Sequence, residues 1–273
     1  MIRRLDYADL VRDALREDAP YGDPFGSSFP QRRNGVFIAG EAGVICGGPV
    51  AVEVFLQVDP EAAVSFVAEG RRVANGERVG EAEGAAAALL RGERVALNFL
   101  QRLSGIATLT ARFVDLVAPY GTKVLDTRKT TPLLRVLEKY AVRVGGGANH
   151  RFSLSDGVLV KENAIRAAGG IAKAVAAARA SVPHLARVEV EVETLEEAED
   201  AVAAGADALL LDNMPPVRVA EAVRRYAGSV FLEASGGIRL DNVMEYARAG
   251  VAAVSIGALT HSAPALDIAF ELL

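Results

Sequence analysis

From residue 123 onward the sequence repeats one arrangement, a short β-branched and aliphatic run followed by an alanine-rich stretch with helical spacing. The runs are KVLD (123–126), GVLVK (157–161), RVEVEVE (187–193), ALLLD (208–212), VFLEA (230–234) and AAVSIG (252–257). The last four begin about 21 to 22 residues apart, which is the period of one strand and one crossover helix. Strands that are apolar along their whole length belong to a parallel sheet covered by helices. Six such units predict a barrel smaller than the usual eight-stranded one, in preference to an open sheet.

The first hundred residues lack that rhythm. Residues 5–16 read as a helix, 35–48 as a hairpin or paired strands with glycine turns, and 49–59 as a short helix. AVSFVAEG and RVGEAEG each hold a short strand, and a long helix runs from about Ala85 to Val117 with a break expected near Ser104-Gly105. Its apolar residues Leu89, Ala96, Leu100 and Leu103 keep helical spacing.

Composition narrows the function classes. With 51% hydrophobic residues and mean hydropathy +0.22, the chain can bury a substantial core. Its opening, MIRRLDYADLVRDALRED, carries charges throughout and lacks the apolar segment of a signal peptide. No run approaches the roughly 18 apolar residues of a membrane span, and the single cysteine, Cys46, fits a reducing cytosol. A cytoplasmic protein is expected. A pI of about 5.4 argues against a general nucleic-acid binder.

Charge is distributed unevenly. The chain carries -5 overall, yet residues 128–161 hold seven cations against two anions, which is +5 and leaves -10 for the rest. Three of the five lysines (Lys129, Lys139, Lys161) fall in that window, where a compact point charge has a use that arginine does not serve. A local cationic region in an acidic chain points to a small anionic ligand.

Five of the six runs end at or near a charge, namely Asp126, Lys161, Glu191, Asp212 and Glu233, and in a parallel barrel those ends share the face that carries the chemistry. A strand leaving any core can end in a charge; five on one face are harder to attribute to that. Glu191 and Asp212 end neighbouring strands without a histidine or cysteine partner, a donor set for Mg²⁺. Pairing with Lys161 or Lys129 is the alternative for them, and one cysteine with three histidines makes a structural zinc site implausible. His184 reads as surface and His150, beside Arg151, as functional. ASGGI (234–238) and SIGALTHS (255–262) place small residues between a strand and a helix, as a phosphate cradle would.

As a set and in order, these stretches resemble the quinolinate phosphoribosyltransferase family (nicotinate-nucleotide pyrophosphorylase, carboxylating). The resemblance is carried by ERVALNFLQRLSGIAT (93–108), DTRKTTP (126–132), LEKYAVRVGGGANHR (137–151), VLVKEN (158–163), VEVEVETLEEA (188–198), AGADALLLDNM (204–214), EASGGI (233–238) and SIGALTH (255–261), with ALRED…GD (14–23) at the start.

The resemblance implies two domains. Residues 1–105 would form an N-terminal α/β sandwich, and 106–273 an incomplete six-stranded parallel α/β barrel whose last residues are free to pack back on the first domain. It also implies a reaction, in which quinolinate and phosphoribosyl pyrophosphate give nicotinate mononucleotide, pyrophosphate and CO₂ with Mg²⁺, a step of NAD biosynthesis. Arg128, His150, Arg151 and Lys161 would surround quinolinate, with Lys129 between the two substrates. Glu191 and Asp212 would face ribose and metal-pyrophosphate, and Ser235, Gly236, Gly237, Gly257 and His261 would hold the 5′-phosphate. Lys129, Lys161, Glu191 and Asp212 are the expected catalytic groups. Arg94 matches an arginine that the family supplies from a neighbouring subunit, which implies a homodimer or larger assembly.

Three positions depart from the family pattern. Lys161-Glu162-Asn163-Ala164 stands where KDNH is common, Leu133 where glycine is frequent, and Pro24 where a small aliphatic is usual. Rival readings are a molybdenum-transport-associated relative with another substrate, a nicotinate phosphoribosyltransferase, a Schiff-base aldolase using Lys161, and a non-catalytic anion binder.

Overall fold

The computed structural model describes residues 2–25 and 28–273, which divide into two compact units. The first comprises the chain up to Ala111 together with Thr131–Gly146 and Leu259–Leu273; the second comprises Arg112–Thr130 and Gly147–Ala258.

The first unit is built on an antiparallel sheet of four strands, β1 (Arg32–Ala39), β3 (Ala63–Phe66), β5 (Arg78–Ala85) and β12 (Ile268–Leu272), in the order β12-β1-β5-β3. Helices α1 (Ala8–Asp18) and α2 (Gly48–Val58) and most of α3 (Ala86–Val117) accompany it. Phe37 lies at the centre of an aromatic core, with ring centroids 4.7 Å from Phe270, 4.8 Å from Phe66 and 6.0 Å from Phe55, tilted and edge-on arrangements that the ring quadrupole favours.

Two details differ from the sequence reading. Residues 35–48 are not a hairpin. β1 pairs with β5 and with the chain's last strand, Gly35 opposite Leu272, while β2 (Gly43–Val44) pairs with β4 (Arg72–Val73). The glycines that read as turns include Gly43, where a Cβ would lie 2.5 Å from Leu266; it is a close-packing position. Helix α3 also runs unbroken through Ser104-Gly105. The Ser104 hydroxyl donates to the Cys46 carbonyl and accepts the Cys46 N–H, and a Cβ on Gly105 would lie 1.9 Å from the Pro264 carbonyl oxygen. The polar and small residues that suggested a break are the points at which other segments touch the helix.

The second unit holds six parallel strands, β6 (Lys123–Leu125), β7 (Val158–Val160), β8 (Val188–Val192), β9 (Ala208–Asp212), β10 (Phe231–Ser235) and β11 (Ala253–Ser255), ordered β6-β11-β10-β9-β8-β7. Helices α5 (Glu162–Ala168), α6 (Ile171–Ser181), α7 (Leu195–Ala203), α8 (Pro216–Tyr226) and α9 (Val243–Arg248) follow successive strands. β6 and β7 end the strand order, and among the described residues they do not pair with each other, so the barrel is incomplete. Parallel strands with short crossovers place all their carboxyl ends together, and the chemistry-bearing residues collect there.

The two remaining helices, α4 (Arg135–Val144) and α10 (Ala258–His261), belong wholly or mostly to the first unit. The cationic window divides between the two units. Arg128, Lys129, Arg151 and Lys161 belong to the barrel unit, whereas Arg135, Lys139 and Arg143 lie on α4 in the first unit.

Candidate active site

The DTRKTTP and GGGANHR motifs meet through Asp126, at the end of β6. Asp126 is fully buried, and its carboxylate accepts the His150 N–H at 3.0 Å and the Asn149 side-chain amide. The Ala148 N–H donates to the Val124 carbonyl at 2.8 Å, so the second motif lies along the end strand of the sheet. A buried carboxylate needs such donors. Here the donors also fix where His150 and Arg151 begin. Past Asp126 the chain turns tightly, with the Lys129 N–H on the Thr127 hydroxyl and the Thr130 N–H on the Arg128 carbonyl, leaving Lys129 exposed and Arg128 half-buried.

Arg151 is half-buried and donates to the Gly157 carbonyl at 2.9 Å. Burial first, and then the nearby Arg128 guanidinium, pull its pKa below the ordinary arginine value, while Glu189 and Asp156 pull the other way. Guanidiniums that oppose each other's charge in this way suit an anion with more than one negative group.

Lys161 caps α5 and pairs with Glu191 of β8, the pairing named above as the alternative for Glu191. Asp212, at the end of β9, accepts from the Asn213 amide at 2.7 Å. Asp212 lies opposite Ser235 in the β9–β10 register, while Glu191 lies opposite Leu210, so the two carboxylates occupy adjacent strands one step apart on the same face. Neither is fully buried. Two hard oxygen donors on neighbouring strand ends, open to a phosphate-bearing ligand, fit Mg²⁺.

Ser235 and Gly236-Gly237 follow β10. Both glycines have positive φ (88° and 61°), and a Cβ on Gly236 would lie 2.2 Å from Asn213 Oδ1, so the loop requires glycine there. Gly257 follows β11. The helices after these loops are α9, of six residues, and α10, of four; in elements so short the macrodipole adds little, and backbone N–H groups carry any attraction for phosphate. His261 ends α10, exposed, with Nδ1 2.6 Å from the Ser262 hydroxyl. Arg94 is exposed on α3. Both belong to the first unit. His184 is exposed.

Two residues missing from the expected site join it. Glu189 accepts from His150 Nε2 at 3.0 Å, and Glu233 Oε1 lies 3.7 Å from the same nitrogen; donor atoms of the three residues all lie within 4.8 Å of one another. The signal for Glu189 is in VEVEV itself. Val188, Val190 and Val192 are fully buried, so by strand alternation Glu189 shares the opposite face with Glu191.

Similarity to known proteins bears on the family and the fold. The family description "Quinolinate phosphoribosyl transferase, N-terminal domain" matches residues 28–104, and "Quinolinate phosphoribosyl transferase, C-terminal domain" matches 106–271. A probable nicotinate-nucleotide pyrophosphorylase (carboxylating) of Bacillus subtilis is 41% identical over 99% of this chain and 95% of its own length. The human nicotinate-nucleotide pyrophosphorylase (carboxylating) is 42% identical over 97% and 91%. The crystal structure of NadC from Streptococcus pyogenes superposes with a TM-score of 0.96 at 42% identity, covering 100% of this chain and 98% of that one. The chain belongs to the quinolinate phosphoribosyltransferase family.

Proposed function

We propose that the protein is a quinolinate phosphoribosyltransferase, transferring phosphoribosyl from phosphoribosyl pyrophosphate to quinolinate with loss of CO₂ to form nicotinate mononucleotide and pyrophosphate. The observation that carries this reading is the family match along nearly the whole chain, with Arg128, Lys129, Arg151 and Lys161 together in one unit. Quinolinate is a dianion, and forked guanidiniums suit two carboxylates better than one. A nicotinate enzyme would leave one of them with less to bind.

In this reading Arg128, His150, Arg151 and Lys161 hold the pyridine dicarboxylate, and Lys129 spans the space between it and the sugar phosphate. Ser235, Gly236, Gly237 and Gly257 hold the 5′-phosphate. Glu191 and Asp212 face the ribose and would hold Mg²⁺, which when bound neutralises charge on the departing pyrophosphate. As the bond from the anomeric carbon to pyrophosphate breaks, positive charge develops on the sugar, and the two carboxylates lie where they favour it. The ring nitrogen's electron pair forms the new bond. Its positive charge then stabilises the electron pair left on the ring when the adjacent carboxylate departs as CO₂, and a proton replaces it. No side chain acts as a covalent nucleophile; the protein works by orienting two anions that repel in solution. Exposed Arg94 supports a homodimer in which each subunit completes its neighbour's site.

The test is to incubate purified protein with quinolinate, phosphoribosyl pyrophosphate and Mg²⁺, following nicotinate mononucleotide by mass, with nicotinate as the parallel substrate. Product from quinolinate alone is expected. Product only from nicotinate, or from neither, would overturn the reading and direct attention to the loop carrying Ala164.

A further inference from the structure

Beside His150, in the barrel unit, lie two carboxylates to which this reaction scheme gives no role, Glu189 and Glu233. His150 Nδ1 accepts the Arg151 backbone N–H at 2.7 Å, and an imidazole nitrogen that accepts carries no proton. The other ring nitrogen, Nε2, is the one that faces the carboxylates. Two carboxylates approach that nitrogen, Glu189 at 3.0 Å and Glu233 at 3.7 Å, but one proton serves only one hydrogen bond, and Glu189 has the shorter contact. Glu233, only 2% exposed, keeps Oε1 without a hydrogen-bond partner, and the Ser255 hydroxyl, also buried, is unsatisfied as well.

The groups around Glu233 come from four directions: Glu189 on β8, His150 before β7, Ser255 on β11 and Asp126 after β6. Two are carboxylates, one is an imidazole and one is a hydroxyl. An ionised Glu233 would add a buried negative charge beside Glu189 and Asp126, opposed only by the longer His150 contact. Buried carboxyls in that position take up a proton. A divalent metal held by the same three side chains is the other way to balance the charge, and the experiment below separates the two.

We propose that Glu233 carries a proton at neutral pH as a neutral carboxylic acid behind His150, and that loss of this proton to solvent weakens the hold on the quinolinate dianion. The second half rests on the function proposed above; the first does not. Burial, with Glu189 next, pushes the Glu233 carboxyl up to about 7, which agrees with the geometry. Glu233 is thus a positioning residue, acting through His150 and through the charge it withholds.

Difference infrared spectroscopy of the ligand-free protein tests the first half. A carboxylic-acid carbonyl band is expected near pH 6, lost by about pH 8.5, and absent from Glu233→Gln. Glu189→Gln removes the neighbouring charge and is expected to move the loss of the band to lower pH, which serves if Glu233→Gln does not fold. Absence of the band from the wild type, or its persistence in Glu233→Gln, would overturn the proposal. So would a stoichiometric divalent ion present in the wild type and missing from Glu233→Gln. For the second half, the KM for quinolinate is expected to rise roughly fivefold over the same pH range, with the KM for phosphoribosyl pyrophosphate nearly constant, and to be flat in Glu233→Gln. A band that titrates beside a quinolinate KM that does not change would overturn this half alone. If quinolinate proves not to be the substrate, the infrared result still decides the proton.

Discussion

At the scale of the residue, backbone conformation explains one departure from the family pattern. Leu133 has φ 66° and is 87% exposed, so it bears the cost of the left-handed region without burying its side chain. Leu133→Gly is expected to stabilise the protein by about 0.5 to 1 kcal/mol, the relief being partly offset by glycine's greater freedom in the unfolded chain. Chemical denaturation measures this, and a loss of stability would mean that Leu133 makes an apolar contact in the assembled protein. The motif comparison could mark the position as unusual but not as strained. Glu233 gives a second prediction. Its folded pKa of about 7 lies above that of an unfolded glutamate, roughly 4.3, so between those values the native state binds a proton that the unfolded state does not. Stability contributed by this group is then greatest at the acid end and falls as pH rises through that window. Melting temperature measured across the window should lose this slope in Glu233→Gln.

Among the elements, α3 shows how composition misleads. Serine and glycine in mid-helix read as a break because both are poor helix formers. Here Ser104 satisfies the backbone of Cys46, and Gly105 admits Pro264. Replacing glycine with alanine inside an exposed helix usually stabilises by about 1 kcal/mol. Gly105→Ala is expected to do the opposite, costing about 1 to 3 kcal/mol, because the new methyl would meet backbone rather than a flexible side chain. Thermal unfolding decides the sign. The strands of the barrel were more legible. Every run placed on a strand from residue 123 onward is one, because apolar continuity and a regular period are local properties that tertiary contacts reinforce. The supposed hairpin at 35–48 fails for the converse reason, since β1 takes its partners from residues 78–85 and 268–272.

For the whole molecule, the reading that each site draws on two subunits makes a prediction about mixtures. Arg94→Ala and Lys129→Ala are each expected to be inactive alone. Unfolded and refolded together, they should recover about a quarter of wild-type activity, because half the dimers would be mixed and each of those would hold one intact site. No recovery would mean that Arg94 serves its own subunit or none.

Much of this protein is written locally. The period of the strands, the alternation in VEVEV and the order of the motifs are enough for the fold class, the family and the residues that crowd the strand ends, because each depends on neighbours in sequence. Three things depend on folding. The terminal strand β12 joins β1 across more than two hundred residues. The cationic window divides between two units, which its continuous run of sequence conceals. Glu189 and Glu233 converge on His150, and the burial that raises the Glu233 pKa is something no one-dimensional pattern contains.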